Sequence, residues 1–213
     1  MICEGEADEV FLKKLGKNQQ INEYEVRSAK GIDKFPVMFN SAIVNYKDIT
    51  KPNLILFIAD AGADPKKTFE NLVAQLSNEK AVKGKGLNFP MSCCEVASNK
   101  GYPAIKIHLL PDCDKKGSLE TLCYKVMKEQ HPEIEACIRN FAQCTNIEKW
   151  SPEQRDKAYV QCFIASTYHK DPNKSLRYYL QETNTSFNFN HEELKTLVEV
   201  IRNSVNTAKH LAT

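Results

Sequence analysis

The sequence has no long apolar run, little glycine or proline, and almost no net charge. Its longest apolar stretch, Leu54 to Ala59, has the length of a β-strand, whereas a membrane-spanning helix needs about 20 apolar residues. The 8 glycines and 9 prolines among 213 residues exclude collagen-like and low-complexity sequence. A formal net charge of +2 lacks the strong basic excess that marks many nucleic-acid-binding proteins, although it does not exclude one. We therefore expect a globular protein that does not enter a membrane.

Several functional motifs are also missing. The chain contains no P-loop and no GxGxxG, and its five histidines show no HExxH spacing. Acidic residues follow Met1 at once, where a signal peptide would need an apolar core, so we expect a cytoplasmic protein. The eight cysteines include no CxxC pair and match no common zinc spacing. Without an export signal we expect them to be ordinary, mostly buried thiols rather than disulfides.

Hydrophobic periodicity predicts strands that alternate with helices. Met1 to Cys3 is a short apolar strand, and Ile21 to Ser28 alternates as a half-buried strand does. Leu54 to Ala59 is apolar throughout, as in a parallel strand covered on both faces. Ile105 to Leu109 alternates again, which predicts that His108 faces solvent. This order favours an α/β fold with a mostly parallel sheet flanked by helices.

Local sequence signals predict where several helices begin. Asp64-Pro65 combines a capping acceptor with proline at the first helical position, and Gly117-Ser118 opens another helix. Beyond residue 130 the pattern is helical, with a capping box that begins at Ser151. We therefore predict an α/β domain over residues 1–130 and a C-terminal helical region over residues 131–213 that packs on it.

Acidic residues follow three of the predicted strands. They are Glu4 after the first strand, Asp60 and Asp64 after the central one, and Asp112 after the strand that contains His108. Ligands of such sheets bind where the carboxyl ends of the strands meet loops and helix N-termini. Carboxylates gathered there repel each other, and a hard cation such as Mg²⁺ or Mn²⁺ keeps them ionised. The alternative interpretation is that Asp60 and Asp64 only cap helices and form turns.

Two of these segments resemble the motifs of Toprim domains. Ile2 to Asp8 is similar to their EGxxD motif, and Leu56 to Gly62 resembles their apolar strand followed by DxD. The likeness extends to an uncharacterised bacterial family with a Toprim-like fold, through Asp60 to Pro65 and through Leu110 to Asp112. The resemblance implies the α/β fold that topoisomerases, bacterial primases, recombination mediators and OLD-type nucleases share.

The resemblance also implies phosphodiester chemistry with a divalent metal. Glu4 would serve as acid/base or metal ligand, and Asp60 as a metal ligand. The sequence departs from the family at Gly62, which stands where the second aspartate of DxD belongs. Three other acidic residues are candidates for further metal ligands: Asp64, Asp112 and Glu120. Glu120 has an alternative role as a first-turn acid that favours its helix dipole.

Lysines in a glycine-containing loop are the candidate contacts to nucleic acid. Lys80, Lys83 and Lys85 lie there, and we expect Lys83 and Lys85 to meet phosphate beside the acidic site; the alternative is a solvated loop. We therefore expect a metal-dependent nuclease or related phosphodiester-processing protein that acts on DNA or RNA. The main alternative is a non-catalytic binding module for nucleic acid or protein, which Gly62 favours. A third possibility is a receiver-like protein phosphorylated on Asp60; the lack of an acidic pair at the first strand end beyond Glu4, and of an evident strand-end lysine, argues against it.

Overall fold

The apolar run that ends at Asp60 forms the central strand of a five-stranded sheet. The computed structural model describes residues 1–44, 52–79, 82–183 and 185–212. The strands of this part of the chain are β1 (Ile2–Cys3), β2 (Arg27–Ser28), β3 (Leu54–Asp60), β4 (Val96–Ala97) and β5 (Ala104–Leu110). Their order is β2-β1-β3-β5-β4, and β4 alone among them pairs antiparallel with its neighbour.

Helices cover both faces of this sheet. Among the described residues the α-helices are α1 (Glu6–Asn18), α2 (Phe35–Val44), α3 (Pro65–Ser77), α4 (Leu119–Gln130), α5 (Pro132–Thr145), α6 (Pro152–Thr167), α7 (Leu176–Gln181) and α8 (Lys195–His210). Short 3-10 turns precede α2, α6 and α8, at Ile32–Lys34, Ile147–Lys149 and Glu192–Leu194. The predicted α/β fold, with its mostly parallel sheet and helical C-terminal part, is confirmed. No helix in the described ranges is long and apolar enough to cross a membrane.

The side chains of β3 alternate between two hydrophobic clusters. Ile55, Phe57 and Ala59 join α2 and α3 on one face, whereas Leu56 and Ile58 join α1, α4 and the C-terminal helices on the other. All five side chains are buried. This two-sided burial explains why the run is apolar without interruption, since neither set of alternating positions meets water.

The helix starts follow their local signals. Asp64 caps α3 by accepting a hydrogen bond from the Lys67 backbone N–H at 3.1 Å, and α4 begins immediately after Ser118. The Ser151 hydroxyl accepts a hydrogen bond from the Gln154 N–H at 3.4 Å at the start of α6. The three predicted helix starts are confirmed, because each depends on contacts within a single helical turn.

The strand predicted from Ile21 to Ser28 is much shorter than expected. Regular pairing involves only Arg27 and Ser28, which lie beside β1. Glu23 has a φ of 68°, in the left-handed region, and this residue interrupts the extended backbone. Ile21 and Val26 are nevertheless buried, so the alternation reflected packing against the core rather than a continuous strand.

Two expectations near β5 are wrong. His108 is fully buried rather than solvent-facing, because the turn at Cys94 and the loop at Cys113 cover its side of the strand. Cys93 and Cys113 form a disulfide, although we expected no disulfides. The Cys94 N–H donates to the Ile107 carbonyl at 2.8 Å, and this bond places the segment beside the middle of β5.

The C-terminal helices share one hydrophobic cluster with the α/β part. The Tyr124 ring of α4 lies 4.9 Å from the Tyr159 ring of α6, and the Phe11 ring of α1 lies 5.9 Å from the Phe187 ring, measured between centroids. The C-terminal helices therefore lie against the face of the sheet that α1 and α4 cover. A domain boundary near residue 130 stays a prediction.

Phe57 should be among the side chains on which stability depends most. Its ring lies 5.6 Å from the Phe35 ring and 5.5 Å from the Phe39 ring, with no exposed surface. We expect Phe57→Ala to lower the free energy of unfolding by about 3–5 kcal/mol, because it leaves a cavity between the sheet and α2. Urea denaturation measures this change. Val37→Ala, at a 58% exposed position on α2, is the control and should change stability by less than about 0.5 kcal/mol; equal effects of the two variants would contradict the assignment of the core.

Candidate functional site

Glu4 and Asp60 meet at the carboxyl edge of the sheet. Glu4 follows β1 and Asp60 ends β3, and these two strands are parallel neighbours. The Asp60 backbone N–H donates a hydrogen bond to Glu4 Oε2 at 3.5 Å. The structure thus brings together the two residues that the Toprim resemblance singled out.

Helix N-termini hold the carboxylates of this edge in place. Asp60 Oδ1 accepts the backbone N–H of Leu119, at the first turn of α4, at 2.9 Å. Asp8, in the first turn of α1, is only 8% exposed, and its Oδ2 accepts the Gly5 N–H at 2.6 Å. Both carboxylates therefore sit where unpaired backbone N–H groups favour negative charge.

Glu120 also belongs to this edge. It lies in the first turn of α4, and its Oε2 accepts a hydrogen bond from the Ser118 hydroxyl at 2.9 Å. Its charge raises the pKa of Glu4, Asp8 and Asp60. Glu120 is therefore the one of the three further candidates whose carboxylate the structure places close to Asp60.

Gly62 leaves room for a carboxylate from a distant helix. Its φ is 65°, a conformation that suits glycine, and its N–H donates to the Gly117 carbonyl at 2.8 Å. A Cβ atom added at Gly62 would lie 3.6 Å from Glu153 Oε1 of α6. The Glu153 carboxylate therefore lies next to Gly62, the position at which the Toprim resemblance implies a second aspartate.

Sequence reasoning missed Glu153 and its neighbour Lys157. Glu153 follows Ser151 in the first turn of a predicted helix, where an acidic residue is common, so the sequence offered no reason to assign it to a site. Lys157 lies one turn further along α6, and its positive charge lowers the pKa of Glu4 while Glu153 raises it. Only the packing of α6 against α4 shows that these two side chains face the end of the sheet. We call the five carboxylates of this edge the acidic group: Glu4, Asp8, Asp60, Glu120 and Glu153.

Burial and mutual repulsion shift the protonation of the acidic group. Burial, followed by the charges of Asp8, Glu4 and Glu120, raises the pKa of Asp60 to about 8. Burial, followed by the charges of Glu4 and Glu120, raises the pKa of Asp8 to about 7. The pKa of Glu4 is also raised, mainly by burial. Asp60 and Asp8 therefore retain protons near neutral pH, and a nearby positive charge would favour their ionised forms.

Asp64 and Asp112 make their contacts elsewhere. Asp64 is exposed and caps α3. Asp112 forms an ion pair with Lys115 at 3.1 Å and accepts the Cys113 N–H at 2.8 Å. Its carboxylate acts electrostatically on His108 and Cys94. In the structure Asp64 therefore caps a helix, and Asp112 binds residues of its own loop.

The loop that contains Lys83 and Lys85 lies at the amino ends of the strands, opposite the acidic group. Lys83 and Lys85 are exposed in the turns that follow α3. Lys85 Nζ is 5.4 Å from the centroid of the Tyr102 ring, just before the amino end of β5. Lys80 lies outside the described residues. Since the acidic group is at the carboxyl ends of the strands, these lysines do not meet it, whereas Lys157 does.

A large cavity also opens away from the acidic group. It has a volume of about 760 Å³ and is lined at the amino ends of β1 and β3 by Ile2 and Leu54, with Ile201 of α8 on its other side. None of the five carboxylates of the acidic group lines this cavity.

A family model matches almost the whole chain. It covers residues 1–206, and its description is "Protein of unknown function (DUF3226)". The chain belongs to this family. A search of curated proteins and a search of solved structures each return no match. The DUF3226 match includes β1, β3 and α6, so every member of the acidic group lies within the family region.

The pKa of Asp60 predicts how stability depends on pH. Unfolded, this carboxyl has a pKa of about 4; folded, its pKa is about 8. The folded state therefore holds a proton that the unfolded state has released, and this stabilisation is complete below about pH 4 and lost as pH rises through about 8. In chelator, we expect the free energy of unfolding to fall between pH 5 and 8.5 by roughly 1–3 kcal/mol more in the wild type than in Asp60→Asn.

Urea denaturation over a series of pH values measures this difference. Asp64→Asn is the matched control, because Asp64 is exposed and asparagine also caps helices well. The control should keep the pH dependence of the wild type. Identical pH dependence in Asp60→Asn and the wild type would show that Asp60 is not the titrating group.

Proposed function

We propose that this protein is a Toprim-like, metal-dependent nuclease or a related phosphodiester-processing protein that acts on DNA or RNA. The observation that supports the proposal is the convergence of the acidic group at the carboxyl edge of a parallel sheet, the edge at which such sheets bind ligands. Glu4 and Asp60 occupy the two strand ends that the Toprim motifs specify, and they are in hydrogen-bond contact.

The chemistry of the donors favours a hard divalent cation. Glu4, Asp60 and Glu153 offer carboxylate oxygens, which are the ligands that Mg²⁺ and Mn²⁺ prefer. Glu153 beside Gly62 would supply the carboxylate that the DxD motif lacks here. The raised pKa values of Asp60 and Asp8 fit this role, since a cation would offset the repulsion that they reflect. When bound, the metal would orient a phosphodiester and stabilise charge on its oxygens.

The remaining residues of the edge have roles that follow from their contacts. Burial raises the pKa of Glu4, which favours a carboxyl that can carry a proton, so we assign it the acid/base role. Lys157 is exposed beside Glu4 and would contact a phosphate of the substrate. The Leu119 N–H fixes the Asp60 carboxylate, so that Asp60 is positioned before any ligand binds.

Gly62 supports a second candidate, a non-catalytic module that binds nucleic acid or protein with the same scaffold. A glycine at this position offers no carboxylate, and its left-handed φ would strain an aspartate placed there. In that case Glu153 and Lys157 would form a surface for recognition rather than a metal centre.

Cleavage assays with site variants separate these two functions. The full chain is incubated with single-stranded and duplex DNA and RNA, in Mg²⁺, in Mn²⁺ or in chelator. We expect cleavage when Mg²⁺ or Mn²⁺ is present and none in chelator. The cleavage rate should fall by about 100-fold or more in Glu4→Gln and in Asp60→Asn. Glu153→Gln should also lower the rate, whereas the control Glu70→Gln, at an exposed position of α3, should keep the wild-type rate.

Calorimetric titration of Mg²⁺ completes the test. Uptake that Asp60→Asn abolishes, together with metal-dependent cleavage, would support the nuclease. Nucleic-acid binding without cleavage and without specific Mg²⁺ uptake would support the binding module. Cleavage that Glu4→Gln and Asp60→Asn leave unchanged would refute the proposed active site.

A further inference from the structure

A second cluster of ligand-type side chains lies beside β5, apart from the acidic group. We call it the Cys₃His cluster, and its members are Cys93, Cys94, His108 and Cys113. Their donor atoms all lie within 4.8 Å of one another. Three sulfur atoms and one imidazole nitrogen form a donor set that proteins use for zinc.

Three distances within the cluster, among Cys94, His108 and Cys113, are close to those of a tetrahedral site. Cys94 Sγ lies 3.1 Å from His108 Nδ1 and 3.3 Å from Cys113 Sγ, and Cys113 Sγ lies 3.4 Å from the same nitrogen. Tetrahedral zinc, with bonds of about 2.3 Å to sulfur and 2.0 Å to nitrogen, separates its ligand atoms by roughly 3.5–3.8 Å. A small outward shift of Cys94 and His108 would therefore make room for the ion, once reduction of the Cys93–Cys113 disulfide lets those two sulfur atoms move apart.

The backbone turns two adjacent cysteines toward one point. Cys94 has a φ of 66°, in the left-handed region that non-glycine residues seldom adopt, and its N–H is bonded to the Ile107 carbonyl. Glu95 fixes the same turn, since its Oε2 accepts the Met91 and Ser92 N–H groups, each at 3.0 Å. Strained residues of this kind persist where the surrounding structure holds them, often at ligand sites.

His108 presents one particular ring nitrogen to the sulfur atoms. Its side chain has no exposed surface, and Nδ1 is the atom that faces Cys94 and Cys113. Among the described residues Nε2 has no hydrogen-bond partner. A neutral imidazole with its proton on Nε2 leaves the Nδ1 lone pair free for a metal.

We propose that the Cys₃His cluster, once its cysteines are reduced, holds a structural Zn²⁺ ion. Thiolate and imidazole ligands select zinc over Mg²⁺ or Ca²⁺, which prefer oxygen. Four protein ligands close the coordination sphere, which is typical of structural rather than catalytic zinc. This site is independent of the acidic group, whose donors are all carboxylates.

The disulfide and the zinc site are alternative states of the same sulfur atoms. A dithiol reductant supplies two electrons and two protons to the Cys93–Cys113 disulfide, which gives two thiols and the oxidised reductant. Zn²⁺ then replaces the protons of three thiols, those of Cys93, Cys94 and Cys113, and three protons pass to solvent. The Nδ1 lone pair of His108 completes the four ligands.

The metal would hold two loops against the carboxyl half of β5, which contains His108. One is the turn at residues 91–95, and the other is the loop at residues 111–118, which contains Cys113 and leads into α4. The second loop also contains Gly117, which is bonded to Gly62, and it ends next to Leu119, which donates to Asp60. Zinc at this place would therefore fix the segment against which the acidic group is built.

Metal analysis of the reduced full chain tests the proposal. The protein is purified with a phosphine or dithiol reductant, supplied with Zn²⁺, desalted, and assayed for zinc and free thiols. We expect one zinc per chain, and after Co²⁺ replacement the visible absorption of a tetrahedral thiolate site. Removal of zinc under reducing conditions should lower the melting temperature by several degrees.

Variants locate the ion. Cys94→Ser keeps the Cys93–Cys113 pair and can therefore fold in its oxidised form, but it should bind zinc at least about tenfold more weakly when reduced. Cys137→Ser and Cys144→Ser are matched controls at exposed positions of α5 and should keep one zinc. Asp60→Asn should also keep it, which separates this site from the acidic group.

Three results would overturn the proposal. They are reduced wild-type protein that retains no zinc, equal zinc in Cys94→Ser and the wild type, and Co²⁺ spectra without thiolate ligation. The first measurement uses the unmodified protein, so it decides the question even if a variant fails to fold.

Discussion

The parallel pairing of β1 with β3 is the constraint on which the rest of the structure depends. Ile2 pairs with Phe57 and Cys3 with Ile58, and this register places Glu4 beside the end of β3. Because both strands run in the same direction, their carboxyl ends and the N-termini of the following helices share one edge. The Asp60 carboxylate accepts a hydrogen bond from the Leu119 N–H, and the Asp8 carboxylate accepts one from the Gly5 N–H.

This arrangement brings negative charges together where little water reaches them. Desolvation alone raises the pKa of a buried carboxyl, and neighbouring carboxylates raise it further. In the acidic group both causes act, and the pKa of Asp60 reaches about 8. The backbone N–H groups that bind Asp60 and Asp8 offset only part of this cost, so both pKa values stay raised. The same electrostatics account for a fold that is more stable, with respect to these groups, when they are protonated.

The C-terminal helices contribute to the candidate site as well as to the core. α6 packs on α4 through Tyr159 and Tyr124, and this contact aims Glu153 and Lys157 at the end of the sheet. The Glu153 carboxylate thus lies beside Gly62, although α6 is far from β3 in the chain. The Cys₃His cluster is linked to the same site through the chain: the loop that contains Cys113 leads into α4, whose Leu119 N–H donates to Asp60.

The sequence by itself determined the elements whose signals are local. The buried central strand, the caps at Asp64 and Ser151 and the α/β order depend on periodicity or on contacts within one turn, and they could be predicted. The meeting of Glu4 with Asp60 could also be predicted, since it follows from parallel strands. Only the tertiary structure decided that Glu153 lies beside Gly62, because that contact depends on how α6 packs.

Tertiary structure also decided which candidates stay apart and which cysteines meet. Lys85 lies at the opposite edge because α3 returns the chain to the amino ends of the strands, which no local pattern reports. Cys94, Cys113 and His108 come together across a strand and two loops, at spacings that match no zinc template. A sequence pattern records which face of an element is apolar; the positions of polar side chains from distant segments follow from packing, which the pattern does not contain.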